Sequence, residues 1–472
     1  MSRDLLSLLS CAALALTSFS SSEAAGRKNI LFMISDNQCW FDMGCYGHPM
    51  VKTPNLDKLA AEGVRFERGF ATTASCGPSR AVMYTGLLTH SNGQYAHPHA
   101  EHNQQLREGV ETVFSMLKGN GYRTALIGKD HIKPLERYPI DFKPKVSSRD
   151  VVAMAKAADQ FISSGDDPFF LVISSHDPHP TSREGVAWGV DEAVPGLALP
   201  DYDVKEVPVP GFLPDTMEVR ESLAGYYQQI TRMDHGMGLV IQALEKAGKR
   251  EDTLIVFISD HGTSKPGAMG TQYEPGLRVP FIVWRAGLKQ PGSVNQGMVA
   301  FTDLTPTFLD WSGTAFDTYP LHGRSLLPIL DTPQPGGWDR VVTSHVGHDV
   351  FAHYPMRTLR EKRWKLIWNL LSGEEYPLPI DTFERRIWSG IRERGETMIG
   401  PRTVDQFLHR PQLELYDLES DPWEVGNLAN DPEHRERAER MARELVGVLE
   451  GQNDPWLRKY HPLRASQADR DP

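Results

Sequence analysis

Short runs of almost wholly apolar residues recur along this chain between stretches with helical spacing, and this alternation restricts its fold more than any other feature. The run Asn29–Ser35 (Asn-Ile-Leu-Phe-Met-Ile-Ser) lacks the polar/apolar alternation of a half-solvated strand, so it reads as a strand buried on both faces. Runs at 124–128, 169–175, Thr253–Ser259 and 279–284 read the same way. A helix follows the first run, with Thr53 as N-cap, Pro54 at its first position and Gly63 at its close. Helical spacing returns at 111–118, 150–162, Met217–Lys246 and 303–311. The pattern predicts an α/β fold, an at least partly parallel sheet layered by helices on both faces.

At 472 residues the chain exceeds one ordinary core. The Pro- and Gly-rich run 331–337 reads as a linker. Beyond it, strand-like pieces at 341–344, 364–368 and Leu413–Asp417, with a charged helix at 433–449, predict a smaller α+β domain. The expected division is a catalytic domain over 26–335 and a C-terminal domain over 336–472. The segment 181–215 is rich in Pro, Gly and Asp without periodicity, as expected of a functional loop such as a lid.

In open α/β sheets, ligands bind beyond the carboxyl ends of the strands. Asp36-Asn37 follows the first run, Lys129 and His131 the second, His176, Asp177 and His179 the third, and Asp260-His261 the fourth. Singly, each has a plainer reading. Asp36-Asn37 fits a turn or helix cap, Asp260-His261-Gly262 fits a turn with Gly262 at positive φ, and a lone His131 or His176 fits a structural histidine. Together, carboxylates, an amide, a lysine and imidazoles at neighbouring strand ends suit a divalent cation with a bound anion.

The decisive string is Cys76-Gly77-Pro78-Ser79-Arg80, continued by Tyr84-Thr85-Gly86. Taken alone, it fits a buried thiol ahead of a helix with Pro78 in its first turn. Average residue usage gives Cys-x-Pro-Ser-Arg by chance in on the order of one in a thousand chains of this length. The chain resembles the type I sulfatases, whose cysteine in this motif is oxidised to Cα-formylglycine. Further matching elements are Tyr273-Glu274-Pro275-Gly276-Leu277-Arg278-Val279-Pro280, Asp303-Leu304-Thr305-Pro306-Thr307, His322-Gly323-Arg324-Ser325-Leu326 and Leu415-Tyr416-Asp417-Leu418. Within the family, Arg232-Met233-Asp234 with Gly236 and Gly238, His176-Asp177-Pro178-His179 and Tyr354-Pro355-Met356-Arg357 resemble the heparan N-sulfatase (sulfamidase) branch.

The resemblance implies an alkaline-phosphatase-like fold and a sulfohydrolase acting on a sulfated sugar, with N-sulfoglucosamine at a heparan-type chain end as the expected substrate. It implies that Cys76 becomes the nucleophile, processed by a formylglycine-generating enzyme. One hydroxyl of the hydrated aldehyde would attack sulfur, and deprotonation of the other would let collapse to the aldehyde expel sulfate. It also implies one divalent cation, calcium first and manganese or another ion second, held by Asp36, Asn37, Cys76, Asp260 and His261. Arg80 and Lys129 would meet the diol or sulfate, and His131 or His179 would serve as general acid. Rival readings are an O-sulfatase on another sulfated glycan, a phosphoester hydrolase of the alkaline-phosphatase-like group, and an unmatured glycan-binding relative.

Three positions depart from the family pattern. Asn37 and His261 replace the usual aspartate and asparagine, and Met269 stands where many relatives place a sulfate-binding lysine. Lys265 is the candidate replacement from the same loop. Calcium prefers oxygen ligands, whereas an imidazole suits manganese or zinc.

Arg3 ahead of an apolar run ending at Leu16, then Ser22-Glu23-Ala24-Ala25, reads as a signal peptide over 1–25 and predicts a periplasmic, secreted or other extracytoplasmic protein. No other apolar stretch approaches spanning length. Four cysteines exclude a disulfide-built scaffold, and Cys39 and Cys45 are read as buried thiols, with a small disulfide between them as the alternative. A net charge of −11 argues against nucleic-acid binding. It still permits an anionic substrate in a locally positive pocket, and favours a chain end over clamping along a polyanion.

Overall fold

The computed structural model describes residues 28–180, 197–383 and 386–463. The expected signal peptide lies outside the described residues, as does 181–196 of the expected loop; 197–215 contains no helix or strand. Among the described residues, eight strands form the larger sheet: β1 (Asn29–Ser35), β2 (Val64–Phe70), β3 (Arg123–Gly128), β4 (Phe169–Ser174), β5 (Thr253–Ser259), β6 (Arg278–Val279), β7 (Phe281–Trp284) and β8 (Ser293–Ala300). The strands β3, β4, β1 and β5 run parallel in that order. β7 joins β5 antiparallel, and β2 pairs antiparallel with β6 and β7 and parallel with β8.

The apolar runs carry no alternation because both sheet faces are covered. Leu31, Met33, Ile255 and Phe257 pack into one core with Met233 and Met237 of the Met217–Lys246 helix. Ile30, Phe32, Leu254 and Val256 pack into the other with Tyr84 and Phe308. The register sets the strand ends level: Ser35 lies opposite Ser259, and both Ile34 and Gly128 lie opposite Ser174. Asp36, Lys129, Ser175 and Asp260 therefore emerge at one end of the sheet.

Most expected elements fall within a residue or two of their predicted bounds. The 279–284 run is split by Pro280, which has no N–H for the ladder. The 111–118 helix starts only at Val113, because Thr112 caps it in a reciprocal pair with Ser115. The Met217–Lys246 helix packs closely on two others. A Cβ on Gly236 would lie 2.5 Å from Val151 Cβ, and one on Gly238 would lie 2.3 Å from Asn55 Oδ1. Asp234, two residues before Gly236, accepts the amides of Asn55 (3.2 Å) and Leu56 (2.8 Å) and so caps the Pro54–Glu62 helix from outside it.

Toward the C-terminus come β9 (Arg340–Gly347), β10 (His353–Glu361), β11 (Trp364–Asn369), the short ribbon β12 (Met398–Ile399) and β13 (Arg402–Thr403), and β14 (Leu413–Asp417). The four longer strands form an antiparallel sheet in the order β14-β11-β10-β9. Met441, Leu445 and Leu449 of the Arg435–Gly451 helix pack on Leu366 and Trp368 of this sheet. Among the described residues no helix is long and apolar enough to cross a membrane.

Candidate active site

Asp36, Asn37, Asp260 and His261 leave the ends of β1 and β5 side by side, all without solvent exposure. Two backbone links fix the junction: Asp260 N donates to the Ser35 carbonyl (2.9 Å) and Asn37 N to Asp260 Oδ1 (3.1 Å). Asn37 takes a left-handed conformation (φ 73°), which asparagine tolerates better than most residues. Cys76 opens the Cys76–Thr85 helix opposite them. Its Sγ lies 3.2 Å from His261 Nε2, 3.6 Å from Asp36 Oδ1 and 3.9 Å from Asn37 Oδ1. Ligand atoms of Asp36, Cys76, Asp260 and His261 all fall within 4.8 Å of one another. His261 Nδ1 meets the Gly262 carbonyl at 2.8 Å, which fixes the N–H there and leaves the Nε2 lone pair facing the cluster. This donor set fits a divalent cation.

Gly262 serves close approach rather than a positive φ. It is absent from the left-handed positions, and a Cβ there would lie 1.8 Å from the Pro275 carbonyl oxygen.

Arg80 and Lys129 reach the same carboxylates from the far side. Arg80 donates from Nε (3.1 Å) and Nη2 (2.9 Å) to Asp260 Oδ2, and from Nη1 to Ser174 Oγ (2.6 Å). Lys129 Nζ donates to Asp36 Oδ2 at 2.5 Å. Burial alone would raise the Asp36 carboxyl, but the charges of Lys129, His179 and Arg80 outweigh it and hold Asp36 well below the usual carboxylate range. Burial, with the charges of Asp36 and Asp260, pushes the Cys76 thiol well above its ordinary value despite Lys129 and Arg80. As a thiol, Cys76 stays protonated here and is a poor nucleophile. No side chain caps the first turn of its helix, so the amides there suit an incoming anion.

His179 and His176 sit on the loop after β4, their rings 4.9 Å apart, and His176 Nε2 lies 3.9 Å from Asp36 Oδ2. His179 Nδ1 is 3.0 Å from the Pro180 carbonyl, so its Nε2 is the nitrogen left for proton exchange. Burial lowers the His179 pKa, while Asp36 opposes the shift. His131 follows Lys129 with φ 49°, its ring 4.8 Å from His99 and 5.1 Å from His97. Burial, then Lys129, keeps His131 well below the usual histidine range.

Several residues position the site through tertiary contacts that local sequence does not reveal. Asp177 is buried between Arg232 (Nε–Oδ2 2.7 Å, Nη2–Oδ1 2.8 Å) and Arg149 (Nη1–Oδ1 2.7 Å), and its carbonyl accepts the Asp36 amide at 3.0 Å. Arg149 Nη2 also donates to the His179 carbonyl (2.9 Å). Ser79 Oγ donates to the Asp260 carbonyl at 2.5 Å. Lys265 is buried. It packs over the Tyr226 ring at 4.2 Å, and burial lowers its pKa against the pull of Asp42 and Cys39. Cys39 and Cys45 are free thiols.

A nucleophile position at a helix N-terminus, facing acidic and imidazole groups at the ends of parallel strands, defines an alkaline-phosphatase-like hydrolase fold. The chain belongs to the sulfatase family: the family profile named Sulfatase matches residues 28–314, and the profile "N-sulphoglucosamine sulphohydrolase, C-terminal" matches 270–382. It is a sulfohydrolase. It is 32% identical to human N-sulphoglucosamine sulphohydrolase, covering 91% of each chain. An ulvan-active sulfatase of Formosa agariphila is 28% identical over 92% of this chain and 82% of that protein. A structure solved in complex with its substrate D-glucosamine-2-N,6-O-disulfate superposes with TM-score 0.66 at 21% identity, covering 91% of this chain and 98% of the other.

Proposed function

We propose that this enzyme removes the N-sulfate from N-sulfoglucosamine at the end of a heparan-type saccharide, through a formylglycine made from Cys76. The observation that carries the chemistry is Cys76 at the helix N-terminus, with Sγ 3.2 to 3.9 Å from His261, Asp36 and Asn37. Sγ stands in for a hydroxyl of the hydrated aldehyde. The substrate rests on the 32% identity with human N-sulphoglucosamine sulphohydrolase. A reaction centre buried this deeply admits a terminal unit more readily than an internal one.

Sulfate enters against the first turn of the Cys76–Thr85 helix, with Arg80 and Lys129 supplying positive charge. A divalent cation at Asp36, Asn37, Asp260 and His261, calcium or manganese, would neutralise sulfate oxygens and make the diol more acidic. One hydroxyl of residue 76 attacks sulfur, and the S–N bond breaks as His179 or His131 delivers a proton to the leaving amine. We favour His179, whose backbone-anchored Nδ1 leaves Nε2 to carry that proton. Loss of the second hydroxyl's proton then expels sulfate and regenerates the aldehyde.

Maturation by a formylglycine-generating enzyme, export by the 1–25 segment and a catalytic unit ending near 335 belong to the same reading. Enzyme coexpressed with the maturation enzyme, assayed on N-sulfoglucosamine, 6-O-sulfated N-acetylglucosamine and an aryl phosphate diester, tests it. Preferred cleavage of N-sulfoglucosamine is expected. Cleavage of the O-sulfate alone would replace it with the O-sulfatase reading.

A further inference from the structure

Beside the reaction centre lies a buried polar cluster that the sulfate chemistry does not use. His97 Nε2 and His348 Nε2 are 3.0 Å apart, and His348 Nε2 is 3.5 Å from Asp381 Oδ2. Both histidines are almost fully buried, at 3% and 1% exposure. Their Nδ1 atoms, like both amide atoms of Gln94, have no hydrogen-bond partner among the described residues. Leaving a buried polar atom unpaired costs about as much as a lost hydrogen bond, so a group of them side by side marks a surface that a polar ligand satisfies.

The cluster faces the reaction centre. A Cβ on Gly77, next to Cys76, would lie 3.0 Å from Gln94 Nε2 and 3.3 Å from His97 Nδ1. The His97 and His131 rings are 5.1 Å apart, and the charge of Asp381 acts on both His97 and His179. Two segments of the C-terminal half supply the remainder. Asp349 Oδ2 accepts the Ile380 amide at 2.8 Å, tying the His348 loop to the Ile380–Phe383 helix that carries Asp381. Phe351 and Phe383, in these same two segments, are about half exposed, at 54% and 47%. Buried acceptors and donors, with exposed aromatic rings nearby in the chain, suit a sugar, which has hydroxyls on its edge and C–H groups on its face.

We propose that His348 and Asp381, backed by His97 and Gln94, form the subsite that reads the ring hydroxyls of the sugar whose sulfate lies over Cys76. The carboxylate of Asp381 accepts from a hydroxyl, and the imidazole of His348 donates to or accepts from its neighbour. Such a clamp needs those hydroxyls unsubstituted, which selects a terminal residue. The inference rests on the proposed function for its sugar, and its test separates the two.

Asp381→Asn and His348→Gln enzymes would be compared with wild type on sulfated glucosamines and on an aryl sulfate, which has a sulfate ester but no sugar hydroxyls. The ratio of kcat/KM on sugar to that on aryl sulfate should fall at least about tenfold in each variant. A ratio unchanged within about twofold in folded variants would overturn the subsite. If wild type cleaves only an O-sulfated glucosamine, the N-sulfate reading fails and the clamp is judged on that sugar. If it cleaves the aryl sulfate alone, both readings fall. Two metal equivalents per chain, reduced to one by His97→Ala, would assign the cluster to a cation instead and overturn the proposal.

Discussion

Replacing Arg232 by methionine removes a guanidinium that touches neither Cys76 nor any candidate metal ligand, so its effect measures positioning alone. Arg232 donates twice to Asp177, at 2.7 and 2.8 Å, with neither side chain exposed to solvent. Removing one partner of a buried ion pair costs about 3–5 kcal/mol, because the other charge stays buried without compensation. Arg149 still donates to Asp177 Oδ1 at 2.7 Å, which places the expected loss at the low end, about 3 kcal/mol. The Asp177 carbonyl holds the Asp36 amide, and His179 lies two residues on, so loosening this loop displaces an acidic ligand and a proton carrier together. A displacement of about 1 Å can cost roughly 100-fold in rate. The expectation is therefore a kcat reduced on the order of 100-fold, KM changed much less, and a lower denaturation midpoint. Steady-state kinetics and chemical denaturation of the same preparation measure both. Lower stability with wild-type kcat would refute the link from the ion pair to the catalytic loop, and wild-type stability would refute the ion-pair cost itself.

Gly236→Ala would place a Cβ 2.5 Å from Val151 Cβ; it should cost about 1–3 kcal/mol in denaturation, with kcat of the folded fraction retained. Chelation should abolish turnover, and His261→Asn, which exchanges imidazole for a carbonyl oxygen, should raise calcium-restored activity relative to manganese-restored activity. An unchanged ratio of calcium-restored to manganese-restored activity would contradict His261 as a ligand. Burial raises the Asp303 carboxyl from 3.8 to about 6 despite its bonds from the Ala300 and Arg324 amides. A carboxyl raised on folding stabilises fully below its unfolded pKa and gives that up as pH rises through the folded one. Wild type should therefore lose up to about 3 kcal/mol between pH ~4 and ~6, a component missing from melts of Asp303→Asn.

The strands that carry the site were legible because both their faces are buried: Asn29–Ser35 and Thr253–Ser259 can be bounded to the residue from apolar run length alone. β2 and β8 were not, since the partly exposed Arg65, Glu67 and Arg68, or the buried Asn295 and partly exposed Gln296, interrupt their apolar pattern. Asp36, Asn37, Asp260 and His261 were legible as candidates because they follow strand ends, and Cys76 because the string Cys76-Gly77-Pro78-Ser79-Arg80 carries the resemblance to the family. The bracing of Asp177 by Arg149 and Arg232 was not, because it joins residues 28 and 55 positions apart through tertiary packing. The same holds for His97 and His348, on two separate loops, and Asp381, in the short Ile380–Phe383 helix. Lys265 shares a loop with Met269, and its packing over the Tyr226 ring could not be read from that proximity in sequence.

The central claim is that residue 76 acts as formylglycine. Mass spectrometry of the peptide containing Cys76, on preparations matured to different extents, compared with their sulfatase specific activity, tests it most directly. Activity should rise in proportion to the aldehyde fraction and vanish in Cys76→Ala. Full activity in protein whose Cys76 is wholly unmodified would contradict the account.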